Sequence, residues 1–181
     1  MNRLARLSTV ERLRIVDDFK DEVFGHLEPA LRDRIRDHRI DLPDDPTPDQ
    51  LDAWVELAEL VQDPEFRSRM RTFVQLATPT TDQPRPPGAN LFWARQAVES
   101  AAEAREHGTD PAEVLAQVVG AADPGAVLVC LEAGIAAEAE RYRILTARVR
   151  GKSPTPDATA ELEWLAVALR DSALNRRENS G

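Results

Sequence analysis

The sequence predicts an all-α fold, in which about eight amphipathic helices pack as an irregular multi-helix bundle. Three observations predict this class. Apolar residues recur at helical spacing in one segment after another, and most of these segments begin with a capping signal such as Ser-x-x-Glu or Asp-Pro. No two-residue hairpin signal lies between alternating apolar and polar runs, so we expect no strand.

The first two predicted helices lie before residue 40. Ser8 and Glu11 have the spacing of a capping box, in which each side chain accepts a hydrogen bond from the other residue's backbone N–H. Pro29 suits the first turn of a second, short helix that runs through about His38. The apolar stripe of the first helix consists of Leu13, Val16, Phe19, Lys20, Val23, Phe24 and Leu27.

The next stretch, "DLPDDPTPDQLDAWVELAELVQDPEF", joins an acidic, proline-rich loop to a helix that carries Trp54 on its apolar face. Thr47 is suited to the N-cap and Pro48 to the first helical position. A second Asp-Pro start signal at Asp63 predicts a new helix through Ala77. Because two helices joined by a tight Asp-Pro turn cannot be collinear, we expect a bent helical pair.

The clearest break in the pattern is "TPTTDQPRPPGAN", which has many prolines and no apolar periodicity. We therefore expect a loop at residues 78–89. A single all-helical domain over residues 1–181 is the prediction for the domain organisation. The alternative is a subdivision into residues 1–77 and 90–177, joined by this loop.

Capped helices are also predicted after the loop. Asn90 caps a helix that ends at Gly108, and "DPAE" starts a short helix over residues 110–119. "DPG" at Asp123 starts the longest predicted helix, which runs without interruption to Gly151. The proline-bearing turn "KSPTPD" leads into the last helix, over residues 158–177.

Composition and charge restrict the class of protein. The chain has 181 residues, of which 42% are hydrophobic and 30% charged, enough apolar material for a packed core. A net charge of −9 argues against contact with nucleic acid, because phosphate binding needs clustered Lys and Arg. Cys130 is the sole cysteine, so an internal disulfide is excluded and a reducing cytoplasm is the expected location. We see no signal peptide and no apolar run of about 20 residues that would span a membrane.

Catalytic and metal-binding patterns are missing from the sequence. His26, His38 and His107 are dispersed, and neither HExxH nor CxxC occurs. The glycines do not form a phosphate-binding loop, and no nucleophile–base–orienter set is visible. Cys130 lies in an apolar run, where a buried, inert thiol is expected. We therefore expect no enzyme, no metal and no cofactor.

Aromatic side chains and one carboxylate are the remaining candidates for a ligand site. Each aromatic lies in an amphipathic helix, where it is more often part of the core than a ligand contact. Phe92 and Trp93 are adjacent, however, so they point about 100° apart and cannot both face one interior. Glu132 follows the apolar run "AVLVCL", so its carboxylate could face the interior and recognise a cationic ligand. The favoured alternative is that the carboxylate pairs with an arginine or reaches solvent. The aromatic candidates are Trp54, Phe92, Trp93, Tyr142 and Trp164.

Three segments resemble the C-terminal, effector-binding region of actinobacterial MerR-type transcriptional regulators. They are "LSTVERLRIVDDFKDEVF", "DLPDDPTPDQLDAWVELAELVQDPEFRSRMR" and "ERYRILTARVRGKSPTPDATAELEWLAVALR", and together they span nearly the whole chain in the family's order. The middle segment is the most specific. The third is looser, because family members often carry a second aromatic where this chain has Arg143.

The resemblance implies an all-helical ligand-sensing domain, attached to an N-terminal winged helix-turn-helix through a long dimerising helix. That DNA reader is absent from this chain, so we expect DNA contact only through such a missing domain. The implied partner is a small hydrophobic or cationic effector such as a drug, and a homodimer of this chain remains open. We hypothesise an apolar pocket between the two halves, walled by the five aromatic candidates and made polar by Glu132 or Arg141.

Two other functional classes remain open. One is a standalone helical protein that sequesters a drug. A natural gene that begins at Met1 would favour this class over a regulator. The other is a structural interaction module whose aromatics are all core, which the absence of any cavity would favour.

Overall fold

The computed structural model describes residues 3–77, 100–104, 106–108, 124–154 and 156–178, with the side chains of 30, 31, 34, 124 and 172–178 excepted. All regular structure in these residues is helical, which confirms the predicted all-α class. Residues 100–104 and 106–107 are helical. The other helices are a 3-10 helix (Arg3–Arg6), α1 (Thr9–Phe24), α2 (Pro29–Asp37), α3 (Pro48–Gln62), α4 (Pro64–Ala77), α5 (Pro124–Ala136), α6 (Ala139–Val149) and α7 (Thr159–Glu178).

The chain divides into two compact units. The first comprises Met1–Val74 and Ala137–Asp157, and the second comprises Gln75–Ala136 and Ala158–Gly181. This division differs from the two sequence halves considered above, because α6 packs against α3 of the first half. The loop predicted at 78–89 and the short helix predicted at 110–119 lie outside the described residues.

Helix α3 is the centre of the first unit, where it packs against α1, α6 and the 3-10 helix. The aromatic rings of Phe19 and Phe66 stack in the core with their centroids 5.7 Å apart. The largest fully buried side chains of this unit are Trp54, Phe19, Phe66, Leu57, Val16, Val23, Val61 and Val149. The stripe predicted on α1 is therefore the face that this helix buries, as amphipathic spacing requires.

The predicted helix starts before residue 78 are confirmed, whereas those at Asn90 and Asp110 lie outside the described residues. Ser8 Oγ accepts a hydrogen bond from Glu11 N at 3.3 Å, and the Glu11 carboxylate accepts one from Ser8 N at 2.8 Å. Thr47 and Gln50 form a second capping box at the start of α3. Such caps satisfy N–H groups that the first helical turn leaves without a partner. Helix α3 ends before Asp63 and α4 begins at Pro64, so the predicted break is also confirmed.

The end of α6 is fixed to the start of α3. Gln50 Nε2 donates to the carbonyl of Val149 at 3.2 Å, and Arg148 forms an ion pair with Asp49. Gly151 follows with a φ of 68°, a left-handed conformation that glycine adopts at helix ends without strain. A Cβ at Gly151 would also lie 2.9 Å from Gln50 Nε2. The left-handed φ is the feature that favours glycine here, since the Gln50 side chain could move away from a Cβ.

The long helix predicted from Asp123 to Gly151 is wrong, because the structure has two helices there. Helix α5 ends at Ala136, and Glu138 adopts a left-handed backbone with a φ of 51° before α6 begins at Ala139. The Glu138 carboxylate accepts hydrogen bonds from Arg69 at 3.3 Å and from Arg141 at 2.9 Å. These contacts hold a conformation that costs an L-residue roughly 1–2 kcal/mol.

We expect Glu138→Gly to be more stable than Glu138→Ala by about 1 kcal/mol. Both variants lose the same two ion pairs, but only glycine relieves the left-handed strain. At an ordinary helical position the order is reversed, since glycine there is about 1 kcal/mol worse than alanine. Urea denaturation of the two variants measures the difference, and a less stable glycine variant would show that residue 138 is helical.

The second unit is built on the packing of α5 against α7. Its core cluster consists of the aliphatic side chains of Ala101, Ala104, Val127, Leu131, Leu165 and Leu169. Trp164 packs at the edge of this cluster and is only partly buried. Among the described residues, no helix is both long enough and apolar enough to cross a membrane.

Candidate functional site

Trp54 lies in the core of the first unit. Its side chain is 0% exposed, and its indole N–H donates to the backbone carbonyl of Leu4 at 3.0 Å. The hydrogen bond satisfies the polar atom of the ring and attaches the 3-10 helix to α3. Trp54 therefore fills the core in this conformation, and its predicted contact with a ligand would need the core to open.

Tyr142 is partly buried and packs against that core. Its ring lies 5.4 Å from the Phe19 ring and 6.2 Å from the Phe66 ring, measured between centroids. Burial raises the pKa of Tyr142 to about 12, and the Thr146 side chain opposes this shift. A phenol in such a site stays neutral, because an apolar surrounding disfavours the phenolate.

The other predicted site residues are distributed over both units. Arg141 is exposed on α6, where it pairs with Glu138. Glu132 pairs with Arg170 and has a side chain that is 43% exposed, so it does not face the interior. Trp164 belongs to the second unit, and Phe92 and Trp93 lie outside the described residues. The pocket predicted between the two halves stays a prediction.

A cleft of about 490 Å³ lies in the first unit, along α1 and the C-terminal end of α2. We call it the α1–α2 cleft. Its apolar lining comes from Leu13, Val16 and Ile40, of which the last two are almost fully buried. Its volume falls within the roughly 300–1,000 Å³ of typical small-molecule sites. The charged lining residues are Asp17, Lys20, Arg36, Asp37 and Arg39.

Lys20 is the buried charge of the α1–α2 cleft. Its residue is only 7% exposed, and Nζ donates to the backbone carbonyl of His38 at 2.7 Å and, more weakly, to that of Arg36 at 3.5 Å. These carbonyls follow or end α2, where a cation is favoured by the helix dipole. Desolvation lowers the pKa of Lys20, with the charges of Asp17 and Asp41 opposing the shift.

The other two cations of the cleft are in ion pairs, whereas its two carboxylates are not. Arg36 pairs with Asp21 and Arg39 with Asp41. Among the described residues, Asp17 and Asp37 form no ion pair, and both are exposed. Two carboxylates beside a buried apolar floor are suited to a ligand that is both hydrophobic and cationic.

His38 borders the same region. Its Nε2 lies 2.5 Å from Nη1 of Arg150, which requires the ring nitrogen to act as an acceptor. Partial burial lowers the pKa of His38, and the charges of Arg150 and Lys20 lower it further. This histidine is therefore neutral at physiological pH.

A second cleft of about 410 Å³ lies between α5 and α7 of the second unit. Its polar lining residues are Glu132, Glu163 and Arg170, and the apolar ones are Ile135, Ala136, Ala166 and Val167. Of the predicted site residues that the structure describes, only Glu132 lines one of these two clefts. Its pairing with Arg170 agrees with the favoured expectation that this carboxylate pairs with an arginine.

Metal and thiol chemistry have no prepared site in the described part of the chain. No group of three or more His, Cys, Asp or Glu side chains is arranged there to hold a metal ion. Cys130 is partly buried, and desolvation raises the pKa of its thiol. A raised thiol pKa lowers reactivity, because the thiolate is the nucleophile.

Comparisons with family models, with curated proteins and with solved structures find no match to this chain.

Proposed function

We propose that this chain is the ligand-sensing domain of a MerR-type transcriptional regulator and that it binds a small hydrophobic cation, such as a drug. The α1–α2 cleft is the observation that carries the ligand-binding part of this proposal. The resemblance of the three sequence segments supports the regulatory part. Half of the residues that line the cleft, including Asp17 and Lys20, belong to the first of these segments, and the other half lie between the first segment and the second.

Charge and burial define the ligand class. An apolar group would contact Leu13, Val16 and Ile40. Because Val16 and Ile40 are already almost fully buried, the apolar surface removed from water belongs mainly to Leu13 and to the ligand, at roughly 25 cal/mol per Å². The cationic group would lie between Asp17 and Asp37, which form no ion pair among the described residues. An anionic ligand would meet these two carboxylates, while Lys20 donates to backbone carbonyls and Arg36 and Arg39 are in ion pairs.

Binding of matched probes tests this proposal. We expect phenylbutylamine to bind more tightly than the neutral phenylbutanol, and phenylbutyrate to bind most weakly, as measured by isothermal titration calorimetry. A panel of hydrophobic cationic antibiotics extends the test, since a ligand at 100 times its Kd raises the free energy of unfolding by about 2.7 kcal/mol in a thermal-shift assay.

Variants locate the binding site. Asp17→Asn and Asp37→Asn should each weaken binding of phenylbutylamine about threefold to fivefold, the effect of one partly exposed ion pair. The double variant should weaken it about tenfold or more. Asp18→Asn is the matched control, because Asp18 is an exposed neighbour on α1 that does not line the cleft. Equal binding of the amine and the carboxylate would contradict the proposal.

A standalone drug-sequestering protein would use the same cleft and give the same binding results. The two functions differ in what precedes Met1 in the natural gene, where a regulator encodes a DNA-binding domain. Neither of these two proposed functions involves catalysis.

A further inference from the structure

His38 connects the end of α2 to α1 and to the end of α6. Its backbone carbonyl accepts a hydrogen bond from Lys20 Nζ of α1 at 2.7 Å. Its ring nitrogen Nε2 lies 2.5 Å from Nη1 of Arg150, the residue that follows α6. All three residues belong to the first unit. We call residues 37–40 the α2 end segment, and these two contacts attach it on both sides.

The contact with Arg150 exists only while the imidazole of His38 is neutral. A guanidinium has N–H donors but no acceptor, and it keeps its charge in proteins. Nε2 must therefore present its lone pair to Arg150. A proton on Nε2 would replace the acceptor with a second donor and would place two positive charges at hydrogen-bond distance. Such charges repel each other, so protonation of His38 breaks this contact.

The surroundings of His38 favour the neutral ring. Partial burial is the largest cause that lowers the pKa of His38 below its usual value of 6.5, and the charges of Arg150, Lys20 and Lys152 follow in that order. Lys20 already donates to the carbonyls at the end of α2, where the helix dipole would otherwise stabilise a histidine cation. The neutral ring is also the form that Arg150 binds.

The carboxylates near the α2 end segment do not reverse this balance. Asp41 forms an ion pair with Arg39 at 3.3 Å. Asp17 and Asp41 act on Lys20, where their charges oppose the lowering of its pKa by desolvation. Asp37 is exposed, and solvent screens its charge. A proton on the ring therefore enters a predominantly positive environment.

We propose that the contact between His38 and Arg150 is a pH-sensitive switch, which attaches the α2 end segment to α6 at neutral pH and releases it in weakly acidic solution. Because folding lowers the pKa of His38, the unfolded chain takes up this proton first as the pH falls. The contribution of the contact to stability is complete above pH 6.5 and is lost as the pH falls through the lower pKa of the folded protein. Release of the segment follows as the folded protein takes up the proton.

Release of the α2 end segment changes the α1–α2 cleft, since Asp37, Arg39 and Ile40 belong to this segment and line the cleft. Ile40 is 4% exposed and forms part of the apolar floor. Asp37 is one of the two carboxylates that would bind a cation. This consequence rests on the function proposed above: a hydrophobic cation should bind more weakly in acid. By linkage, the bound ligand lowers the pKa of His38 further.

Proton NMR of the His38 ring tests the switch without any ligand. We expect the ring to titrate below pH 6.5 in the folded protein. Hydrogen exchange of the backbone amides of residues 37–40, corrected for intrinsic exchange and referred to the amides of α3, is the second readout. Protection of these amides should fall between pH 7.5 and pH 5, by roughly tenfold for each unit by which folding lowers the pKa.

Two variants separate the switch from other effects of acid. His38→Gln places a neutral carbonyl oxygen near the position of Nε2, so the α2 end segment should keep its protection at pH 5. Arg150→Ala removes the donor, so protection should already be low at pH 7.5 and should no longer depend on pH. His26→Gln is the matched control, because His26 is an exposed histidine between α1 and α2 of the same unit, and it should behave like the wild type.

Three results would overturn the inference. They are a His38 ring that titrates at or above pH 6.5, wild-type protection that is equal at the two pH values, and a His38→Gln variant that loses protection in acid as the wild type does.

Calorimetry with phenylbutylamine at the same two pH values distinguishes the switch from the proposed function. The amine keeps its charge throughout this range. Weaker binding to the wild type at pH 5, with unchanged binding to His38→Gln, would support control of the cleft by the segment, and equal wild-type binding at both pH values would contradict that control. Undetectable binding at both pH values would contradict the proposed function, whereas the ring titration and amide exchange would still decide the switch.

Discussion

Alanine at position 54 is expected to lower the free energy of unfolding by about 3–5 kcal/mol, the range for a fully buried tryptophan. The indole is 0% exposed, so its removal leaves a cavity in the core of the first unit. It also removes the donor to the Leu4 carbonyl. Trp54→Phe keeps most of the packing and loses the hydrogen bond, so about 1–2 kcal/mol is expected for that variant.

Urea denaturation followed by circular dichroism measures both values. Trp164→Ala is the matched control, because Trp164 is only partly buried at the edge of the other core, and we expect less than half of the Trp54→Ala effect. A loss below about 1 kcal/mol for Trp54→Ala would contradict the core assignment. It would favour the alternative in which Trp54 forms the wall of a pocket.

Alkaline solution is expected to destabilise the protein through Tyr142. Burial raises the pKa of this phenol from its usual value of 10.0 to about 12. Between these two values the unfolded chain releases the proton and the folded chain keeps it. Stability is therefore fully present below pH 10 and is lost as the pH rises to 12. Two pKa units correspond to about 2.7 kcal/mol.

Tyr142→Phe isolates this contribution, since Tyr142 is the only tyrosine of the chain. The variant should lose less stability than wild type between pH 10 and 12. The contribution of Lys20 to stability has the opposite sign. Desolvation lowers the pKa of Lys20 in the folded protein, so the unfolded chain keeps this proton to a higher pH and the free energy of unfolding rises with pH. Tyrosinate absorbance of the folded protein gives the pKa directly, and a midpoint near pH 10 would exclude the buried phenol.

Local signals allowed the helix boundaries of the first unit to be predicted. The Ser8–Glu11 and Thr47–Gln50 boxes and the Asp63 break depend on residues within one helical turn, and each is present in the structure. The interruption at Glu138 has no such signal. Alanine and glutamate on both sides favour a continuous helix, and the left-handed residue is held by Arg69, which is distant in sequence.

The candidate site was harder to predict for the same reason. The aromatic side chains in the sequence indicate a ligand site, yet Trp54 lies in the core and Tyr142 packs against it. The α1–α2 cleft depends on how α1 and α2 meet, which no sequence spacing encodes. One signal was available: Lys20 stands in the apolar stripe of α1, and a lysine at such a position predicts a buried charge that must find carbonyl or carboxylate partners. Glu132 and Arg170 pair across 38 residues, and only packing reveals that.

The burial of Lys20 makes the two lysines of this chain chemically unequal. Lys152 is exposed after the end of α6, whereas the Lys20 amine is enclosed and donates to backbone carbonyls. Amine-directed acylation of the folded protein should therefore modify Lys152 and spare Lys20. A dye or a surface linker attached in this way modifies one lysine of the folded protein. Lys20 is modified only when the first unit opens, so the rate of its modification measures local unfolding.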